Sequence, residues 1–114
     1  MNKQEVNELI SATALRYGFT CEEGIGGLMQ PVYSPKNYIG FTVLPHFNFE
    51  ASTVEDGKVT KGVTDVEIKS SIRGMGGEPT PADLLFAASA IERGAKLTAA
   101  LQSMSLSYTE HYGD

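Results

Sequence analysis

The chain has 114 residues, enough for one hydrophobic core and too few for two, and its 41% hydrophobic and 20% charged content is that of an ordinary globular domain. Its formal charge of −5 disfavours a general nucleic-acid or anionic-membrane surface, which would need clustered Lys and Arg. Cys21 is the only cysteine, which excludes an internal disulfide. The first residues are polar where a secretory leader would be basic and then apolar, and no apolar run reaches the roughly 20 residues of a bilayer span. These features predict a single-domain, cytoplasmic protein that does not associate with membranes.

Asn2 with Glu5 three residues later has the form of a capping box. Val6, Leu9, Ile10, Thr13, Ala14 and Tyr17 then recur at helical spacing, and Gly18 follows where a left-handed residue closes a helix. This predicts an amphipathic helix of about four turns. Residues 19–27 contain Glu22, Glu23 and three glycines, and read as a loop. Residues 28–33 read as a strand, placed at an edge by Pro31, which has no N–H to donate. Ser34-Pro35-Lys36-Asn37 reads as a turn. Two registers onto the next strand stay open: one pairs Leu28 with Val43 and Val32 with Ile39, the other Met29 with Val43 and Pro31 with Phe41.

The chain is organised around residues 39–72. Phe41, Val43, Pro45, Phe47, Phe49 and Ala51 alternate with polar residues, and only Leu44 breaks the pattern. Val66, Ile68 and Ile72 form a second apolar row, with Lys61, Asp65, Glu67, Lys69 and Arg73 on the opposite face. Asp56-Gly57 suits a two-residue primed turn, which sets Glu55 against Lys58, Phe49 against Thr64, Phe47 against Val66, Pro45 against Ile68 and Phe41 against Ile72. In that register Pro45 lacks the hydrogen for a bond to Ile68, which predicts a bulge near Leu44-Pro45.

A glycine-rich breaker follows, and then Thr80-Pro81-Ala82-Asp83, the strongest helix start in the chain. The helix is expected to run to about Met104. One stripe contains Leu84, Ala87, Ala88, Ile91, Ala95, Thr98 and Leu101; a second contains Phe86, Ala90, Leu97, Ala100 and Met104. So wide an apolar surface implies two partners: the sheet, and either the first helix or a second copy of the chain. Gly94 and the alanines would let another backbone come close. The tail, 105–114, either adds a short strand or frays.

No motif in the chain rises to a function. The segment from Ile72 to Pro81 has the outline of a phosphate cradle, with Arg73, the backbone of Gly76 and Gly77, and Thr80 as its contributors. It lacks the familiar glycine spacings, and Glu78 and Asp83 already bring negative charge, so a connector is the simpler account. His46, His111 and Cys21 have no metal-ligand spacing, and nothing joins them into a nucleophile and base. The hairpin carboxylates are what alternating polar positions on a half-exposed sheet give by chance. Met29, Tyr33 and Tyr38 suggest an aromatic patch on the outer face suited to binding.

The expected fold is α+β: an antiparallel three-stranded meander, with a fourth short strand if the tail adds one, and an N-terminal and a long C-terminal helix packed on one face. The expected function is a non-enzymatic interaction or adaptor protein without cofactor or metal, acting on an unknown protein partner and homodimeric through helix 81–104. The competing expectation is a homo-oligomer that binds an anionic metabolite or nucleotide.

Overall fold

The computed structural model describes residues 1–36, 38, 40–72 and 78–111. In chain order the elements are helix α1 (Lys3–Arg16), strand β1 (Thr20–Glu23), a 3₁₀ turn (Ile25–Gly27), β2 (Met29–Val32), β3 (Phe41–Glu55), β4 (Lys58–Ile72), helix α2 (Pro81–Ser103) and β5 (Ser107–His111). The architecture is α+β, with β1 and β2 forming one antiparallel pair and β3-β4-β5 an antiparallel sheet. A single antiparallel bridge, Tyr33 to Val43, ties the two sheets together. No described helix is long and apolar enough to cross a membrane.

Both helix starts follow their sequence signals. Asn2 accepts from the Glu5 amide at 2.8 Å while Glu5 accepts from the Asn2 amide at 3.2 Å, and Thr80 with Asp83 repeats the arrangement ahead of Pro81. Each box satisfies two of the amides that a helix N-terminus leaves without intrahelical partners. Gly18, at φ +79°, ends α1 in the left-handed region.

The β3–β4 hairpin turns at Asp56-Gly57, both with positive φ, and Glu55 faces Lys58. The register holds at Phe41/Ile72, Pro45/Ile68 and Phe47/Val66. It departs in between: β4 carries an extra residue at Thr64 and β3 one at Ser52, so Phe49 faces Val63 rather than Thr64. The two shifts have opposite sense, so the turn and the far end of the hairpin both keep their expected pairing. They also move side chains between faces. Val63 and Val66 now share the inner face, and Lys61, expected on the outer one, lies inward across from the buried Tyr108.

The bulge expected at Leu44-Pro45 is absent, because Pro45 does not need one. Within a strand a residue's N–H and C=O point to the same side, and Val43 exchanges both of its groups with Tyr33 at 2.9 Å. Pro45, two residues on, therefore turns its missing donor away from β4 and toward β2.

Residues 19–27, expected as a loop, instead contribute β1, paired to β2 from Thr20/Val32 to Glu23/Met29. Neither expected register of residues 28–33 occurs, since Tyr33 rather than Leu28 or Met29 meets Val43. The turn closes one residue later than expected, with the Tyr38 amide donating to Pro35 C=O at 3.2 Å. The tail supplies β5, which pairs with β4 from Lys58/His111 to Gly62/Ser107.

Both helices cover the inner face of the sheet. Val6, Ile10 and Ala14 of α1 join Phe41, Val43, Ala87, Ala90, Leu97, Leu101, Leu106 and Tyr108 in one core. The buried line of α2 runs through Ala87, Ala90, Gly94, Leu97 and Leu101, between the two expected stripes. Gly94 brings α2 against the sheet, because a Cβ there would lie 2.6 Å from Val43 Cγ1 and 2.8 Å from Ile68 Cδ1. The body measures 57 × 24 × 19 Å, and its radius of gyration of 16.3 Å exceeds the roughly 13 Å of a rounded domain this size. The long hairpin sets that shape.

Candidate functional site

Pro31 and Pro45 decide where the site lies. In the ladder that starts at Tyr33/Val43, the next in-plane pair would be Pro31 with Pro45, and neither has an N–H. The ladder stops there. Gln30 fills the gap, its side-chain amide donating to Pro31 C=O at 2.8 Å and also to Pro45 C=O. Beyond it the following pair would be Met29 with Phe47, but the Met29 amide donates instead to Asn7 Oδ1 at 2.8 Å, while Asn7 Nδ2 donates to Gly27 C=O at 2.9 Å. The α1 side chain thus holds β2 away from β3.

The result is an open groove of about 680 Å³ along the free edge of β3. Six of the seven residues from Leu44 to Glu50, all but Pro45, supply one wall from both faces of the strand, which is what a cleft running along a strand edge requires. Met29 and Gln30 of β2, with Leu28 just before it, form the other wall, and Gly24, Gly26, Tyr108 and Lys61 complete the lining. The floor is aromatic: Phe47 and Phe49 lie 5.7 Å apart between ring centroids, and Phe49 and Tyr108 5.8 Å. Along β3 the groups of Phe47 and Phe49 point out of the sheet as those of Val43 do, and no strand among the described residues lies against them.

The glycine turn at the groove's end is pinned from below. Lys3 donates to Gly26 C=O at 2.8 Å and pairs with Glu110 at 3.0 Å, and Glu110 meets Lys61 at 3.2 Å. Hydrogen bonds from Lys3 and Lys61 hold the Glu110 carboxyl below its ordinary pKa.

The sequence-predicted residues fall elsewhere. Arg73, Gly76 and Gly77 lie outside the described residues. Thr80 is occupied as the α2 cap, and its bonds to Asp83 lower that carboxyl's pKa, so a carboxylate sits at the helix start where an anion would bind. Met29, Tyr33 and Tyr38 do not form one outer patch. Tyr38 stacks on Phe86 at 4.4 Å, Tyr33 lies under the Arg93 guanidinium at 4.6 Å, and both are partly buried against the core. Partial burial and the neighbouring Asp83 carboxylate raise the Tyr38 hydroxyl's pKa. Only Met29 belongs to the groove. Partial burial pushes the Cys21 thiol's pKa up, offset in part by Ser11, which makes it a poor nucleophile. Among the described residues no three His, Cys, Asp or Glu side chains gather as metal ligands.

The chain matches no family model, no curated protein and no solved structure. The functional reading therefore rests on the groove itself. An apolar floor beside main-chain groups that face no strand among the described residues can hold an extended chain.

Proposed function

We propose that this is a small non-enzymatic interaction protein that holds a segment of a protein partner in the groove between β2 and β3. The observation that carries the reading is the interrupted ladder: two facing prolines and the Asn7 bridge keep the β3 edge open over an aromatic floor. An open edge of this kind is otherwise a route to indiscriminate pairing, so a folded protein that keeps one gains from a partner that covers it.

Photo-crosslinking residues introduced at Gln30 and at Asn48, with Ser103 as a control outside the groove, test the reading in extracts of the source cell. The expected result is one discrete partner crosslinked from both groove positions and not from Ser103, and lost on Phe49→Arg while circular dichroism stays unchanged. Equal crosslinking from Ser103, or no discrete product from the groove, would count against it.

A further inference from the structure

We infer that the occupant of the groove is a basic, strand-forming peptide that adds to the edge of β3, an inference that rests on the groove being the interaction site. Main-chain geometry supplies the first half of the argument. Phe47 and Phe49 present N–H and C=O groups outward at the spacing of an antiparallel or parallel neighbour, and the stretch from His46 to Ala51 contains neither Lys nor Pro, the residues that usually block an edge.

Side-chain alternation supplies the second half. A strand laid on this edge sends every second side chain to the helix-covered side, beside Met29, Phe47, Phe49 and Tyr108, so those residues should be apolar. The intervening side chains lie over the outer face of the sheet. There Glu50 stands on β3 itself, while Asp65 and Glu67 stand across from Asn48 and His46 on β4, with Lys69 as the opposing charge in that stretch. Neighbouring strands are about 4.8 Å apart, so the β4 carboxylates lie two spacings, about 9.6 Å, from an added strand, roughly one Debye length at 0.1 M salt, and Glu50 lies one spacing away; Lys or Arg at the intervening positions is favoured.

The same charges argue against a second copy of this chain. Edge-to-edge pairing of two β3 strands would bring two acidic outer faces together, each on a molecule of formal charge −5.

The test uses the whole chain and fluorescein-labelled heptapeptides of alternating Val and Lys, Val and Glu, or Val and Ser. Polarisation measures affinity, hydrogen exchange reads the Phe47 and Phe49 amides, and sedimentation gives the oligomeric state. The expected result is that the Val-Lys peptide binds at least about tenfold more tightly than Val-Glu, protects an outward amide of β3, and loses about tenfold on Glu50→Lys. Equal binding of the three peptides overturns the basic preference, and binding without amide protection overturns strand addition. A dimer that protects the same amides without peptide would replace the proposed partner with a second copy. Should none of the peptides bind while the groove crosslinks persist, strand addition by a basic segment fails and the interaction role stands; if the crosslinks are absent too, both fall.

Discussion

Gly94 offers a sharp test of how α2 meets the sheet. In an exposed helix, glycine to alanine stabilises by roughly 1 kcal/mol, because glycine loses more backbone freedom on folding. Here the new Cβ would sit 2.6 Å from Val43 Cγ1, about 1 Å inside an ordinary carbon contact. Val43 is fully buried and β-branched, so it has no easy rotamer to retreat into, whereas the Ile68 Cδ1 atom ends a longer chain that is 36% exposed and can move. Overpacking of this kind costs about 1–3 kcal/mol, which outweighs the helix gain and leaves a net loss of about 1 kcal/mol. With an unfolding entropy near 2.1 cal/mol/K per residue, that lowers Tm by about 4 °C. Calorimetry on Gly94→Ala measures it directly. In a Val43→Ala background the obstruction is gone, so the same substitution should raise Tm, and the sign reversal is the signature of contact. A Gly94→Ala protein that melts higher than the parent in both backgrounds would refute the close approach of α2 to β3.

Asn7→Ala removes both bonds that hold Met29 and Gly27 to α1; we expect a loss of about 1–3 kcal/mol in urea unfolding and faster exchange of the Met29 amide, with the β3–β4 amides unaffected. The Glu110 carboxyl has its folded pKa below the unfolded value, so its stabilisation is fully present above the unfolded pKa near 4.3 and is lost as pH falls through the folded pKa. Urea midpoints measured from pH 6 down to pH 3 should therefore converge for the parent and Glu110→Gln, and a gap that persists at pH 3 would assign the effect to something other than charge. Thr80→Ala should cost about 1 kcal/mol by removing the α2 cap, with thermal unfolding as the measure.

The parts of the fold written in local chemistry were legible in the chain. Asp56-Gly57 could take positive φ at both positions, and Asn2 and Thr80 each had their carboxylate three residues on, so the turn and both caps followed from neighbours alone. The paired insertions at Ser52 and Thr64 were not legible, because they cancel at the turn and at the far end, where the apolar rows were matched. That is why Lys61 was assigned to the wrong face. β1 was hidden because Thr20–Glu23 is largely exposed and acidic, and owes its extended form to pairing with β2. The wide apolar surface of α2 did predict deep burial, but the line chosen runs between the stripes through Gly94, and it leaves Leu85 73% exposed.

The groove was the least legible feature, because it depends on Pro31 and Pro45 meeting across a gap that only the Tyr33/Val43 bridge defines. Its signal was present as two prolines in successive strands, each a known break in a ladder. The register that would have set them opposite one another was not among those the short turn suggested. The aromatic patch failed for a related reason: Tyr33 and Tyr38 look outward only until Phe86 of α2 arrives from far along the chain.

That facing pair of prolines has a structural corollary. Restoring a hydrogen to each nitrogen, as in a Pro31→Val/Pro45→Val protein, would allow the ladder to extend one pair past Tyr33/Val43, as far as the Asn7 bridge at Met29. The open stretch of this edge thus begins at two backbone nitrogens that carry no hydrogen, and because both proline side chains are fully buried, exchanging them would also repack the interior beside them.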